Sequence, residues 1–151
     1  MKRMTSLFLL VLLIFSCPPR ASAVAHENIV WSHEITLDNG ITVTDEVISH
    51  SIARSSTKDY TRRKTIANGE GATIAIISVR GVFSYNGTTV SVVSKSVTQS
   101  DTYEGWSYKQ NSFTSSGGTI TLDAKLTKLL VVSIPADMTL SCDKDGNISY
   151  T

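Results

Sequence analysis

The chain is poor in residues that cross-link a fold, break it or give it a strong charge. It has two cysteines, three prolines and 7% aromatic residues in a length of 151. Its charged residues make up 18% of the chain and are divided almost equally between acids and bases. These values exclude a disulfide-rich scaffold and a proline-rich disordered chain. The 41% of hydrophobic residues is an ordinary value for one globular domain.

Long apolar runs are also missing, except for one near the N-terminus. Lys2 and Arg3 precede nine consecutive apolar residues, Leu7 to Phe15, and small residues follow at Ala21-Ser22-Ala23. This is the pattern of a secretory signal peptide. A membrane-spanning helix would need about 20 apolar residues. We therefore predict a signal peptide over residues 1–25, no membrane span, and a single exported domain over residues 26–151.

Cys17 offers an alternative to ordinary cleavage. The sequence Ile14-Phe15-Ser16-Cys17 weakly matches a lipobox, in which the cysteine is lipidated and anchors the chain. Phe15 is bulky for such a site, however, and Pro18 follows directly. Cleavage near Val24 or His26 is the preferred interpretation, and it leaves Cys142 as the last cysteine, so the domain has no internal disulfide.

Helical periodicity is absent after the signal peptide, whereas strand periodicity is clear between Thr73 and Ser96. Alternate residues of its first half form one apolar face, which we assign to the core: Ala75, Ile77, Val79, Gly81, Phe83 and Tyr85. This predicts a central strand. Asn86-Gly87 then predicts a type I′ turn, after which Val90 and Val92 face the aromatic end of the first strand.

Turn signals recur about every ten residues along the rest of the chain. Asp38-Asn39-Gly40 predicts a second hairpin, Tyr60 to Ile66 a polar edge strand, and the region from Val47 to Thr57 has no clear period. Ile120 to Leu126 alternates apolar with polar residues, as in an antiparallel sheet. We predict an all-β fold, an antiparallel Ig-like β-sandwich of about eight strands, with an up-and-down β-barrel as the alternative.

Two motifs in the last 90 residues or so resemble a family of small exported proteins of Gram-positive anaerobic bacteria. They are Val82-Phe83-Ser84-Tyr85-Asn86-Gly87 and the segment from Leu140 to Ser149, which contains Cys142-Asp143 and Gly146-Asn147. A lone Trp106 before a Ser/Gly turn is a third mark of the resemblance. The family has no assigned activity, so the resemblance implies an exported β domain and supplies no catalytic residue.

The charge balance argues against a nucleic-acid partner. Removal of Lys2, Arg3 and Arg20 leaves 11 basic residues against 13 acidic ones. Such a domain lacks the electrostatic basis for binding nucleic acid. The one basic run, Arg62-Arg63-Lys64, alternates between faces on a strand, and we favour a solvated strand over a site for an anionic ligand.

Catalytic and metal-binding patterns are weak. Only His26, His33 and His50 could act as a catalytic histidine, and none of them lies in a motif. Asp45 and Glu46 are adjacent, so on a strand they point to opposite faces and do not form the carboxylate pair of a glycosidase. Cys142 lies on an apolar strand face and is expected to be buried and inert. We predict no catalytic residue, no cofactor and no metal.

The segment Asp143-Lys144-Asp145-Gly146 contains a fragment of a calcium loop. The match to the twelve-residue EF-hand loop is incomplete, because position 1 would be Ser141 and position 12 would lie beyond Thr151. A hairpin turn explains the same residues.

Aromatic residues provide the one candidate binding surface. Tyr103, Trp106 and Tyr108 could form a platform for a sugar or a peptide, although core packing of Trp106 is favoured over exposure. Trp106 and Tyr108 share parity, which places Phe113 on the opposite face.

These observations lead to a secreted, non-catalytic β-sandwich that binds a protein or glycan at the cell surface. We expect it to be a monomer. The alternative is a small secreted hydrolase that acts on glycan or peptide.

Overall fold

The computed structural model of the chain describes residues 27–50, 56–129 and 131–151. The predicted signal peptide, Cys17 and His26 lie outside these residues, as does part of the segment between Val47 and Thr57. None of the described segments forms a helix of the length and apolarity needed to cross a membrane.

Ten strands make two antiparallel sheets of five strands each in the described part of the chain. The first sheet contains, in spatial order, β1 (Asn28–Thr36), β2 (Thr42–Ser49), β3 (Thr57–Ala67), β4 (Thr73–Tyr85) and β5 (Val90–Gln99). The second sheet contains β6 (Trp106–Ser116), β7 (Thr119–Lys128), β8 (Val132–Pro135), β9 (Met138–Cys142) and β10 (Ile148–Tyr150). Its order is β10-β9-β7-β6, and β8 also pairs with β7.

The two sheets form a β-sandwich, as the sequence predicts, and the alternative of a closed barrel is wrong. Strands that follow one another in the chain are mostly neighbours in space, so each sheet is close to a simple meander. Immunoglobulin domains instead distribute successive strands between their two sheets. The chain crosses from the first sheet to the second between β5 and β6.

β4 lies at the centre of the packing, and its predicted inner face is confirmed. Ala75, Ile77, Val79 and Phe83 are fully buried in the core. Gly81 lies between them and leaves space for the opposite sheet, because a Cβ at this position would be 2.5 Å from Cδ1 of Ile120. A glycine inside this strand is therefore explained by the close approach of the two sheets.

β7 supplies the matching face of the second sheet. Ile120, Leu122, Ala124 and Leu126 are buried, as their alternation predicts. β9 pairs with the first half of β7 and β8 with the second half, so the two short strands follow one another along the same edge. Between them the Asp137 carboxylate accepts a hydrogen bond of 3.0 Å from the Ala124 N–H, which stabilises the step from β8 to β9.

The strand predicted over Tyr60 to Ile66 is present as part of β3, but the predicted edge position is wrong, because β3 lies between β2 and β4. The solvated interpretation of its basic run is wrong as well, since Arg62 is only 5% exposed and faces the core. Arg62 Nε and Nη2 donate to the two carboxylate oxygens of Asp45 at 3.0 and 2.6 Å. On the inner face of the first sheet, where apolar side chains are expected, β2 and β3 thus place a buried ion pair.

Two basic residues of β3, Arg62 and Lys64, also join the two sheets. Arg62 Nη1 donates to the carbonyl oxygen of Thr139 at 2.9 Å and to that of Thr151. Lys64 Nζ donates to the carbonyl oxygen of Asp137 at 2.6 Å, and burial lowers the pKa of this amine. Long cationic side chains of β3 thus bind backbone oxygens of the second sheet.

The turn after β4 reverses the chain as predicted, but its conformation differs from type I′. Gly87 has a φ of 82°, whereas Asn86 does not have a positive φ. The Asn86 side-chain oxygen instead accepts hydrogen bonds from the Thr88 and Thr89 N–H groups at 3.0 and 2.8 Å. The loop is therefore longer than two residues and is held by the asparagine side chain.

Candidate functional site

A pocket of about 260 Å³ lies at one end of the sandwich, where turns of the first sheet meet the start of the second. Turns between β1 and β2 and between β3 and β4 form one side, and the connection from β5 to β6 forms another. The starts of β6 and β8 and the end of β7 complete it. Its lining residues are Asn39, Ile41, Asn68, Gly69, Ile74, Tyr103, Trp106, Lys128 and Val132.

Two of the predicted aromatic residues, Tyr103 and Trp106, meet in this pocket. The Trp106 N–H donates to the Tyr103 carbonyl oxygen at 3.0 Å, and the Tyr103 N–H donates to Ile74 on β4 at 2.8 Å. The tight loop between them contains Gly105, whose φ is 80°. Tyr103 is 51% exposed and Trp106 only 8%. The predicted burial of Trp106 is confirmed, and its remaining exposed edge lines the pocket.

Asparagine amides supply the polar groups of the pocket. The Asn39 side-chain oxygen accepts from the Ile41 N–H at 3.1 Å. The Asn68 side-chain oxygen accepts from the Glu70 and Ala72 N–H groups at 3.0 and 2.9 Å. Because the turns use the oxygens, the two NH₂ groups are left as donors toward a ligand. In the sequence these asparagines are visible only as turn signals.

The electrostatics of this end favour a neutral ligand over an anionic one. The surrounding turns carry four exposed acidic residues, Asp38, Glu70, Asp101 and Glu104. Lys128 lines the pocket, and its Nζ lies 5.8 Å from the centre of the Trp106 ring, a cation–π distance.

Tyr108, the third predicted surface residue, does not line the pocket. It is only partly exposed and packs against the core from β6, and its hydroxyl oxygen is buried without a hydrogen-bond partner. Burial raises the pKa of this hydroxyl. The prediction that Phe113 faces the other way is wrong, because the strand pairing shifts between Gln110 and Ser112 and returns Phe113 to the core side.

A second, polar groove of about 300 Å³ lies on the outer face of the first sheet. His50, Thr61, Arg63 and Arg80 line it together with further serine and threonine hydroxyls. Carboxylates pair with both guanidinium groups: Arg63 contacts Glu27 and Glu46, and Arg80 contacts Asp59 at 2.6 Å. The hydrogen bond from Arg80 lowers the pKa of the Asp59 carboxyl. The groove therefore presents little uncompensated positive charge.

His50 and Thr61 are in contact inside this groove. His50 Nε2 lies 2.9 Å from the Thr61 hydroxyl oxygen. A hydroxyl next to an imidazole is part of a nucleophile and base arrangement, which also needs a group that orients the imidazole. His33 lies elsewhere, on β1, where its ring stacks near that of Trp31 with centroids 6.0 Å apart.

The turn from Asp143 to Asn147 has the structure of a hairpin turn. One Asp143 carboxylate oxygen accepts from the N–H groups of Asp145 and Asn147 at 2.9 and 2.8 Å, and the other accepts from the Asn147 side chain at 2.8 Å. These bonds lower the pKa of the Asp143 carboxyl. Within residues 27–50, 56–129 and 131–151, no group of three or more His, Cys, Asp or Glu side chains is placed to hold a metal ion.

Comparisons of the chain with protein-family models, with curated proteins and with solved structures found no match. Its chemistry therefore has to be inferred from the pocket and the groove themselves.

Proposed function

We propose that this chain is an exported, non-catalytic binding module that takes a neutral sugar residue of a cell-surface glycan into the pocket between Tyr103 and Trp106. The observation that carries the proposal is the combination of two aromatic side chains with two asparagine amides in one small cavity. The signal-peptide pattern before residue 26 supports export.

The lining chemistry suits a sugar. A sugar ring has an apolar C–H face that packs on aromatic side chains, and hydroxyl oxygens that accept hydrogen bonds from amide NH₂ groups. The volume of about 260 Å³ is near the lower end, about 300 Å³, of pockets that bind small ligands. One sugar residue or the end of a glycan chain fits better than an extended ligand.

The same lining supports a non-catalytic role. It includes no histidine, aspartate, glutamate or cysteine. A glycosidase needs two carboxyl groups across the bond that it cleaves. The lining residues can hold and orient a ligand, and the acidic residues of the surrounding turns lie outside this lining.

Binding can be tested with the secreted protein on a glycan array, followed by calorimetry with the best ligand. Tyr103→Ala should weaken binding at least about tenfold, because it removes the exposed aromatic face. Asn68→Asp is a sharper variant, since it keeps the oxygen that the turn needs and removes the NH₂ donors. Tyr108→Phe is the matched control outside the pocket and should bind as the native protein does. Unchanged binding in both pocket variants would contradict the proposal.

The contact between His50 and Thr61 favours a second candidate, a small secreted hydrolase of glycan or peptide that uses the outer groove. In that case Thr61 would act as nucleophile and His50 as base. Turnover of glycan or peptide substrates that disappears in both His50→Ala and Thr61→Val, and persists in Tyr103→Ala, would support the hydrolase and contradict the binding module.

A further inference from the structure

In the described part of the chain, β1 is an edge strand whose outward-facing backbone groups pair with no other strand. Within the described residues it pairs with β2 alone. The Leu37 N–H donates to Ile41 on the other side of the turn at 2.8 Å. Because the direction of N–H and C=O groups alternates along a strand, those of Ser32, Glu34 and Thr36 point away from β2. This side of the sheet can accept a further strand.

The strand is also apolar and exposed. Ile29, Val30 and Ile35 are 45%, 50% and 45% exposed. β1 has nine residues and contains no proline or lysine. An exposed and apolar edge of this length is a template for pairing with another chain.

The other edges are protected by the usual devices. β5 carries Lys95, and its pairing with β4 is irregular at the exposed Val93, opposite Val82 and Phe83 of β4. β6 carries Lys109 and an irregularity between Gln110 and Ser112. β8 has four residues and β10 three. β1 has an irregularity too, between Ile29 and Trp31, and one charged residue, Glu34. It carries no lysine, however, and its pairing is regular from Trp31 to Thr36, so this is the least protected of the described edges.

We propose that β1 pairs antiparallel with β1 of a second copy of this chain, across a two-fold axis at His33, which joins the two first sheets into one continuous sheet. His33 then lies opposite His33 of the partner subunit. Trp31 lies opposite the partner's Ile35, and Ser32 opposite the partner's Glu34. This proposal differs from the monomer expected from the sequence, and the experiments below distinguish the two.

The residues of β1 favour a second copy in this register over other occupants. Trp31 and Ile35 project from the same face, so the pairing matches an aromatic with a β-branched residue. A shift of the axis to Glu34 would place that carboxylate opposite itself, which is unfavourable. The irregularity between Ile29 and Trp31 limits regular pairing to the second part of the strand, which is centred near His33. Two-fold dimers with self-complementary surfaces are the commonest oligomers.

Sedimentation analysis of the native protein over a range of concentrations tests the proposal, and we expect a monomer–dimer equilibrium. Glu34→Pro removes an N–H that points outward and should weaken dimerisation at least about tenfold. The backbone bonds between β1 and β2 remain, and only the exposed bond from the Thr44 hydroxyl to the Glu34 carboxylate is lost. Gln99→Pro is the matched control on the opposite edge. The Ser100 N–H donates to Ile76, so the N–H of Gln99 also points outward. This variant should dimerise as the native protein does.

The register of the β1–β1 pairing can be tested separately with cysteine variants. This test also applies if Glu34→Pro does not fold. In His33→Cys the new thiol lies opposite its copy in a pair that is not hydrogen-bonded, the geometry with the closest side chains. Mild oxidation should therefore give a disulfide-linked dimer. Ser32→Cys lies opposite the partner's Glu34 and should not cross-link. A native protein that stays monomeric at every concentration, or equal cross-linking of the two cysteine variants, would overturn the proposal.

Discussion

Phe83 is the largest side chain that the inner face of β4 buries completely, with no exposed surface. It lies opposite Val92 on β5 and beside the gap at Gly81, into which Ile120 of the second sheet projects. The residue therefore contacts both sheets where the core is tightest. Its removal would leave a cavity that the surrounding strands cannot fill.

We predict that Phe83→Ala lowers the free energy of unfolding by about 3 to 5 kcal/mol. Urea denaturation followed by fluorescence measures this change. Val93→Ala is the control on the neighbouring strand, since Val93 is 61% exposed and its loss should change stability by less than about 0.5 kcal/mol. Equal effects of the two variants would show that Phe83 does not carry the packing assigned to it.

Cys142 is a free thiol that is only 4% exposed, as its place in the strand alternation predicts. Burial, with the nearby Asp143 carboxylate, raises the pKa of the thiol. The reactive thiolate is therefore rare and poorly accessible near neutral pH. This explains how the domain can keep an unpaired cysteine without cross-linking through it.

We predict that the folded protein reacts slowly with a thiol reagent and quickly after denaturation. At pH 9 the denatured protein should still label faster, because a larger fraction of its thiol is ionised, and labelling of the folded protein should reach its maximal rate only at a higher pH. Cys142→Ala should fold with a modest loss of stability. Fast labelling of the folded protein at neutral pH would contradict the burial of this residue.

At the scale of elements, the two motifs behind the family resemblance meet in space. The Gly87 N–H of the β4–β5 turn donates to the Lys144 carbonyl oxygen of the β9–β10 turn at 2.8 Å. The ring of Tyr85 lies against Gly146, where an added Cβ would be 2.5 Å from the Tyr85 Cζ. The motifs thus fix the contact between two hairpins, which gives them a structural role.

Gly87 and Gly146 provide a matched pair for testing this contact. Their φ angles are 82° and 84°, but a Cβ at Gly87 would have nothing within 4 Å. Gly87→Ala should therefore cost only the backbone strain, about 1 to 2 kcal/mol. Gly146→Ala should cost more, by about 1 to 3 kcal/mol, because the methyl group also meets the Tyr85 ring. Thermal unfolding of the two variants measures the difference, and equal losses would mean that the turns do not pack together.

Elements with a regular alternation could be predicted from the sequence, and those with an irregular pattern could not. β4 and β7 have apolar residues at every second position, so their inner faces are correctly predicted. The prediction of a solvated edge strand fails for β3 because Arg62 and Lys64 occupy its inner face, and charged residues in that position have the sequence pattern of a solvated face. At Phe113 the bulge in β6 changes the parity, which no local pattern reveals.

The candidate site could be predicted only in part, for a similar reason. Tyr103 and Trp106 are close in sequence and stand out as aromatic residues. Asn39 and Asn68 come from separate turns, and each looks like an ordinary turn residue. The turns meet because Gly69 lies against the Gly40 carbonyl oxygen, 3.4 Å from where a Cβ would be. Such a long-range contact has no signal in a single sequence.

At the scale of the whole molecule, the two proposals together have a geometric consequence. The pocket lies at the end of the sandwich that contains the β1–β2 turn. A two-fold axis through β1 reverses the direction of the second copy, so the two pockets of a dimer would face in opposite directions. Such a dimer is suited to linking two separate glycan surfaces and less suited to bivalent binding of a single surface.

The buried pair of Asp45 and Arg62 is the other feature that concerns the molecule as a whole. It joins β2 to β3, and Arg62 continues to the carbonyl oxygens of Thr139 and Thr151 in the second sheet. An arginine without its carboxylate would remain buried at 5% exposure. The loss of one partner should therefore weaken both sheets and their contact together.

We predict that Asp45→Ala lowers the free energy of unfolding by about 3 to 5 kcal/mol, as expected when one partner of a buried ion pair is removed. Glu46→Ala is the matched control on the next residue of β2. Glu46 pairs with Arg63 on the outer face, where that arginine side chain is 24% exposed, and its loss should cost at most about 1 kcal/mol. The double variant Asp45→Leu with Arg62→Met should be more stable than Asp45→Ala, because it removes both charges and fills the space with apolar groups. Chemical denaturation of these variants checks the argument. Equal losses of unfolding free energy in Asp45→Ala and Glu46→Ala would show that the buried pair does not hold the sheets together. The hydrogen bond from Lys64 to the Asp137 carbonyl oxygen would then be the next contact to remove.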